Sequence, residues 1–366
     1  MKVKLVNQNI FILFCTFFIA VTSSCNRQRQ YNKQSQLVHS KMDTTRLKYT
    51  KGVRSILEDS KGNIWFGSYN EGVCLLNKGE FKYFTTENGL SDNQVRSIYE
   101  DKNGTIWFEC GIGLSIYNNN KLTVFETGNY NSTKKFKLSD TDLWFKSDES
   151  MGNSKLEKKS GVYQYNGKEL YFHTLTVKNK LGQETPWAKS TDFVRGKNGM
   201  VWFGAYSQLI GYNGKQLITY NNNSVGLNGT TENLHIRSIL QDSKGNLWIG
   251  NNCGGGKSGI GVIKYDGKNF IHFTKQYQLR KEDTKGSSLD KIFSICEDGL
   301  GNIWFGTNES GVWCYNGQTL KNFTQQDGLD SYITWIIYKS KSGELWFGGG
   351  PNGVYRFTGN SFERKF

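Results

Sequence analysis

The stretch that decides the fold is Val53–Gly67, VRSILEDSKGNIWFG. It predicts a strand, a tight turn and a second strand, because β-branched and aromatic residues flank a short run of Asp, Ser, Gly and Asn. The stretch returns almost intact at residues 95–108, 236–250 and 292–306, and weaker copies surround three further tryptophans. The chain is therefore built from one repeated strand pair.

Seven tryptophans mark the repeats: Trp65, Trp107, Trp144, Trp202, Trp248, Trp304 and Trp346. Successive ones lie between 37 and 58 residues apart. A period of this length holds four short strands, and Gly and aromatic marks in each unit are typical of β-propellers. We therefore predict an all-β fold, a seven-bladed β-propeller of four-stranded antiparallel blades.

The first unit shows how each blade is divided. The predicted strands, named A to D in sequence order, are Val53–Glu58, Ile64–Ser68, Val73–Leu76 and Phe81–Thr85. In the A–B turn, the Asp59 carboxylate can accept backbone N–H groups, and Gly62 can adopt a positive φ without steric cost. The C–D turns carry Asn-Gly or Asp-Gly, the strongest local hairpin signals.

These marks resemble the two-component regulator propeller repeat. The shared features are the Asp-x-x-Gly-Asn turn, the Trp-Phe-Gly or Trp-Ile-Gly of strand B, and an Asn-Gly-Leu before strand A at residues 88–90. The resemblance covers about residues 52–366. Repeats of this kind are common in periplasmic sensor regions of hybrid histidine kinases from Bacteroidetes-type bacteria. The resemblance implies a sensor-like module, although propellers host many unrelated functions.

Residues 1–24 resemble a secretory signal peptide, with a basic start and a 12-residue apolar run at 10–21 that is short for a membrane span. Ser24 supplies a small residue before Cys25, as at a lipoprotein cleavage site, although Thr22 departs from the usual Leu. We expect lipidation at Cys25, a polar tether over 25–45 and the propeller over 46–366. The alternative is an ordinary cleaved secretory protein. Both place the protein in the periplasm or at the outer membrane.

The formal net charge is +14. Such a balance favours acidic partners such as anionic polysaccharide, lipid headgroups or nucleic acid. It also fits a basic surface with no dedicated partner. For this protein we expect a small-molecule or glycan ligand or a partner protein, contact with a membrane through the lipid anchor, and no nucleic acid.

The long insertions of the repeat share one face. Strands alternate in direction, so the B–C and D–A loops lie at the opposite end of the propeller from the A–B and C–D turns. Every long insertion falls in a B–C or D–A connection: 146–160, 176–189, 221–233, 251–258 and 275–288. Insertions on one face of a repeat fold mark its binding face. Drift in unconstrained loops is the alternative.

The first candidate site is a ring at the channel mouth, formed by equivalent positions near the start of strand A. These positions are Arg54, Arg96, Thr191, Arg237, Phe293 and Trp335. Three arginines with aromatic neighbours can clamp a carboxylate or sulfate and stack a sugar face. Each Arg could instead pair with an acidic neighbour between blades. The predicted ligand-binding set is Arg54, Arg96, Arg237, Phe293, Trp335, Tyr69 and Tyr206.

An enzymatic role is the second hypothesis. His235 lies two residues before Arg237, and the streptogramin lyases, which resemble this propeller, use a mouth His with a bound Mg²⁺. A lone His without matched carboxylates is weak support for catalysis. The five cysteines after Cys25 show no Cys-x-x-Cys spacing, so we expect no zinc site, no other metal or cofactor, and no catalytic thiol.

The leading hypothesis is therefore a non-catalytic, ligand-binding or sensor-like propeller in the periplasm or at the outer membrane. Its ligand is an anionic glycan or a partner protein. A propeller lyase or hydrolase that uses His235 is the alternative. We expect the propeller to stand alone, without a kinase of its own, and to depend on another protein to transmit a signal.

Overall fold

The structure is a computed structural model that describes residues 46–127, 138–146, 161–174, 177–178, 184–185, 191–197, 199–205, 208–227, 232–252, 259–284, 286–351 and 353–366. The described residues belong to one compact unit. The predicted signal peptide, Cys25 and the tether lie outside the described residues. No helix in the described part is long and apolar enough to cross a bilayer.

The chain forms a seven-bladed β-propeller of antiparallel blades, as predicted. The strands A to D of the first two blades are Val53–Glu58, Ile64–Ser68, Val73–Asn77, Glu80–Phe84, Val95–Glu100, Ile106–Cys110, Leu114–Asn118 and Lys121–Phe125. Those of blades four and five are Val194–Arg195, Val201–Ala205, Gln208–Tyr212, Leu217–Asn221, Ile236–Gln241, Leu247–Asn251, Val262–Tyr265 and Phe270–His272. Those of blades six and seven are Ile292–Glu297, Ile303–Thr307, Val312–Tyr315, Leu320–Phe323, Thr334–Lys339, Leu345–Gly349, Val354–Phe357 and Phe362–Arg364.

Blade three departs from the pattern. Its described strands occupy the places of B, C and D: Leu143–Lys146, Gly161–Tyr165 and Leu170–Thr174. A two-stranded ribbon, Val177–Lys178 with Glu184–Thr185, follows it. The sequence did not predict the short helix Phe273–Gln276 after strand D of blade five. That helix buries Phe273 against the Trp248 ring, with 5.1 Å between centroids.

The A–B turns have the expected chemistry and an additional bond. Asp59 Oδ1 accepts the backbone N–H groups of Lys61 at 2.9 Å and Asn63 at 2.8 Å, and Gly62 has a φ of 82°. Asp59 Oδ2 accepts the indole N–H of Trp65 at 3.0 Å. The same bond recurs in blades two, five and six, in the pairs Trp107–Asp101, Trp248–Asp242 and Trp304–Asp298. The turn carboxylate thus fixes the landmark tryptophan.

The landmark tryptophans pack between blades. In five blades the indole meets the aromatic ring at the end of strand C in the next blade, at centroid distances from 4.6 to 6.2 Å. These pairs are Trp65–Tyr117, Trp107–Tyr165, Trp144–Tyr212, Trp248–Tyr315 and Trp304–Phe357. Aromatic pairs of this kind add specific geometry to the area that they bury.

Both ends of the described propeller contribute to ring closure. The fourth strand of blade seven is the C-terminal Phe362–Arg364. The segment 46–50 forms no strand and seals the seam between blades seven and one. Leu47 and Tyr49 are buried in a core cluster with Trp346, and the Tyr49 hydroxyl donates to the carbonyl oxygens of Phe66 and Gly72.

Candidate ligand-binding site

The central channel contains a cavity of about 680 Å³ that is lined by residues from every blade. This volume lies within the usual range for small-molecule sites. The predicted ring residues meet in this cavity: Arg54, Arg96, Thr191, Arg237, Phe293 and Trp335, together with Tyr69. Tyr206 lies outside the described residues.

A β-bulge places the ring side chains. In blade one, Val53 faces Ser68 and Ser55 faces Gly67, so Arg54 is an extra residue without a partner on strand B. The same shift occurs at the equivalent position in blades two, five, six and seven. The bulged residues are Arg54, Arg96, Arg237, Phe293 and Trp335. Bulges re-aim side chains and are frequent beside functional sites. Here each one turns a side chain into the channel.

The three arginines form a cationic arc. The Arg54 guanidinium lies 5.7 Å from the centroid of the Tyr69 ring. Burial, and then the charges of Arg96 and Arg237, lower the pKa of Arg54 from 12.5 to about 10. Arg96 Nε donates to Gln94 Oε1 at 2.6 Å. Among the described residues no carboxylate lies within 4.0 Å of Arg54 or Arg96. Pairing with acidic neighbours therefore does not account for these two side chains.

Three aromatic rings form a continuous arc beside the arginines, across blades six, seven and one. The ring centroid of Trp335 lies 5.4 Å from that of Tyr69 and 6.4 Å from that of Phe293. The Trp335 indole N–H donates to Asn308 Oδ1 at 3.2 Å, which fixes the orientation of the ring. Tyr69 is 43% exposed. The arc therefore presents apolar surface to the channel mouth.

The wall at blades two and three carries a buried ion pair. Strand B normally has Gly after Trp-Phe, because the next strand A packs there: a Cβ on Gly67 would lie 2.8 Å from Val95 Cγ1 of blade two. Blades two and three have Glu109 and Lys146 at this position. Lys146 Nζ lies 3.8 Å from Glu109 Oε1, with the side chains 1% and 2% exposed. Both residues line the cavity.

Blade four contributes polar groups that are bound within the wall. Thr191 Oγ1 donates to the Asp192 carbonyl oxygen and accepts the Gly204 N–H, both at 2.8 Å. The Asp192 carboxylate accepts hydrogen bonds from the hydroxyls of Ser97 and Tyr99 in blade two. The Thr191 hydroxyl thus makes its hydrogen bonds within the channel wall, whereas the other ring positions present their side chains to the channel.

His235 is not among the described residues that line the cavity. Its backbone N–H donates to Asn251 Oδ1 at 3.1 Å. Burial, and then the charge of Arg237, lower its pKa to about 4. The described residues contain no cluster of three or more His, Cys, Asp or Glu side chains that could hold a metal ion.

The described cysteines are placed in packed surroundings. Burial raises the pKa of Cys74, Cys296 and Cys314 to about 12, as is typical of cysteines that pack as small apolar residues. Cys110 is the last residue of strand B in blade two and is fully buried. Cys253 lies outside the described residues.

Sequence reasoning missed several residues of the cavity. Gln94 and Asn308 hold Arg96 and Trp335, yet each is an ordinary polar residue in a loop or at a strand end. Glu109 and Lys146 did carry a signal, because they replace the Gly of the Trp-Phe-Gly mark. A charged residue at a position that normally excludes a Cβ requires a local change of packing.

The sequence profile described as two component regulator propeller matches residues 50–70, 89–108, 231–253 and 286–309. Each match includes the start of strand A, where the ring residue lies. Four blades of the chain therefore carry two-component regulator propeller repeats. None of the curated proteins compared with the propeller matches it.

Solved structures share the propeller fold. The extracellular domain of the hybrid two-component system BT3049 from B. thetaiotaomicron is 21% identical, with a TM-score of 0.62, and the match covers 88% of this chain and 40% of that one. The corresponding domain of BT4673 from the same organism is 19% identical, with a TM-score of 0.60 and coverages of 87% and 39%. The propeller thus spans about 40% of these domains.

A streptogramin B lyase also has this fold, at 15% identity and a TM-score of 0.56, with 83% of this chain and 92% of that chain covered. At such low identities the likeness of all three structures extends to the fold alone. Activity must therefore be argued from the residues of the site.

Proposed function

We propose that this propeller is a non-catalytic, sensor-like binding module of the bacterial envelope, in the periplasm or at the outer membrane. It holds an anionic ligand, a glycan or an acidic segment of a partner protein, at the channel mouth. A lipid anchor at Cys25 would tether it to a membrane. The observation that carries the proposal is the arginine arc, in which Arg54 and Arg96 have no carboxylate partner among the described residues.

An anion would relieve the electrostatic cost of this arc. Arg54 is affected by the charges of both Arg96 and Arg237, so an anionic group between the three would contact a region of concentrated positive charge. Hydrogen bonds between charged groups are shorter and stronger than neutral ones. Arg96 already uses Nε on Gln94, which leaves its two terminal nitrogens for a bidentate contact with a carboxylate or sulfate.

The test is binding of the full-length protein, in detergent solution, to a panel of acidic and neutral glycans at low and high salt. Acidic glycans should bind, and their affinity should fall as salt rises, because exposed charge pairs are screened over about 8 Å at physiological ionic strength. Arg96→Ala should weaken binding by about 1.5–3 kcal/mol. Arg96→Lys should recover only part, since an ammonium cannot make the bidentate fork.

A matched control removes the same charge elsewhere. Lys268 is exposed in a C–D turn at the opposite face, so Lys268→Ala should leave affinity unchanged. His235→Ala should also have little effect. A ligand whose affinity ignores both salt and Arg96 would contradict the proposal. Turnover that requires a metal ion and is lost in His235→Ala would support a lyase instead.

A further inference from the structure

The proposed function accounts for the arginines but leaves the aromatic arc unexplained. Tyr69, Trp335 and Phe293 stand side by side at the channel mouth, and each remains partly exposed to solvent. Repeat packing does not require them, because the core between blades is already made by the strand B tryptophans. Two of the three occupy bulged positions where three other blades carry Arg.

The two arcs join at one residue. The Arg54 guanidinium lies 5.7 Å from the centroid of the Tyr69 ring, and that centroid lies 5.4 Å from the centroid of the Trp335 ring. A group bound by Arg54 therefore lies beside the aromatic surface that continues to Trp335 and Phe293. An aliphatic anion would satisfy the arginines alone and leave that surface in water. A ring attached to the anionic group would cover it.

We infer that the ligand is an anion carried on a ring, which stacks on the aromatic arc while its acidic group binds the arginine arc. The inference rests on the proposed function. The ring is either the sugar ring of a uronic acid, whose C–H groups form an apolar face, or the ring of an aromatic acid, and either can stack on an indole. Asn308 is a positioning residue, because its side chain holds the indole by the Nε1 hydrogen bond.

Three acids of equal charge test the inference on the full-length protein: methyl β-D-glucuronoside, benzoate and the acyclic sugar acid gluconate. Their dissociation constants can be measured by NMR titration. At least one ring acid should bind about tenfold more tightly than gluconate, as a stacking contact predicts. A preference for the glucuronoside would identify a sugar ring, and a preference for benzoate an aromatic ring.

The variants separate the two arcs. Trp335→Leu should abolish the preference for ring acids over gluconate, whereas Arg96→Ala should weaken the binding of all three acids. Asn308→Leu keeps the indole but removes its acceptor, and should reduce the ring preference by about threefold. This variant still tests the inference if Trp335→Leu fails to fold.

Two results would overturn the inference, and they differ. If gluconate binds the wild type as tightly as both ring acids, the aromatic arc does not select the ligand, although anion binding at the arginines stands. If none of the three acids binds at low salt, the proposed function fails together with the inference.

Discussion

Removing Arg54 is expected to stabilise the empty propeller. Burial, and then repulsion by Arg96 and Arg237, lower the pKa of Arg54 from 12.5 to about 10, which means that the folded state disfavours its charge. A shift of this size corresponds to at most about 3.5 kcal/mol, at about 1.4 kcal/mol per pKa unit. Arg54 keeps some contact with solvent, which reduces this cost, and its contact with the Tyr69 ring stabilises the folded state by about 0.5–1 kcal/mol. For Arg54→Met we therefore expect a gain of about 1–2 kcal/mol in the free energy of unfolding.

Urea unfolding of the full-length protein measures the gain, and salt identifies its cause. The Debye length falls from about 30 Å at about 0.01 M salt to about 3 Å at about 1 M, so the part of the gain that comes from repulsion should shrink at high salt. Lys268→Ala removes an exposed charge on the opposite face and should change stability by no more than about 0.5 kcal/mol. A variant Arg54→Met that is less stable than the wild type at low salt would refute the reasoning.

Three further predictions concern other parts of the protein. Cys25→Ala should abolish labelling by a palmitate analogue that marks the wild type, and equal labelling of both would contradict a lipid anchor. Trp248→Ala should lower the free energy of unfolding by about 3–5 kcal/mol, because Trp248 is 2% exposed; an unchanged urea midpoint would contradict its role in the core. Burial alone would raise the pKa of Asp242, but hydrogen bonds from Asn246 and Trp248 hold it below its usual value. This carboxylate therefore stabilises the fold above its unfolded pKa, and the contribution is lost as pH falls through the folded pKa. Asp242→Asn should be less stable than the wild type at pH 7, and its free energy of unfolding should fall less than that of the wild type as the pH is lowered. If the free energy of unfolding of both proteins fell equally in acid, this role would be contradicted.

The architecture was predictable because most blades repeat the same strand pair, with the same turn residues and the same strand B tryptophan. The Asp-x-x-Gly-Asn turn fixes the distance from Gly62 back to Arg54, so counting from the turn found the ring position in six blades. The bulge itself was not predictable, since no residue type marks it: the bulged position holds Arg in some blades and Phe or Trp in others. The sequence therefore identified the ring positions, but it did not show the bulge that turns their side chains into the channel.

Other features depend on contacts that sequence does not display. Sequence alone does not decide whether residues 47–50 or residues 362–366 close the ring, because each segment is short and has apolar residues that could pack on the last blade. In the structure the C-terminal segment pairs as a strand and Tyr49 seals the seam with side-chain hydrogen bonds. The helix at Phe273 has no side-chain cap and only four residues, so neither periodicity nor a cap could reveal it.

The site and the stability of the propeller reside in different layers of the same repeat. The turn Asp and the strand B Trp form the packing layer, and the pair recurs in blades one, two, five and six with little change. The bulged residue of strand A lies one layer inward, and its type differs between blades: it is Arg54 in blade one and Trp335 in blade seven. A bulge leaves its extra residue out of the ladder, so substitution there disturbs few backbone bonds. The side chains of the ring can therefore change without loss of the fold, which is why we assign the proposed ligand specificity to the ring and not to the recurring turn.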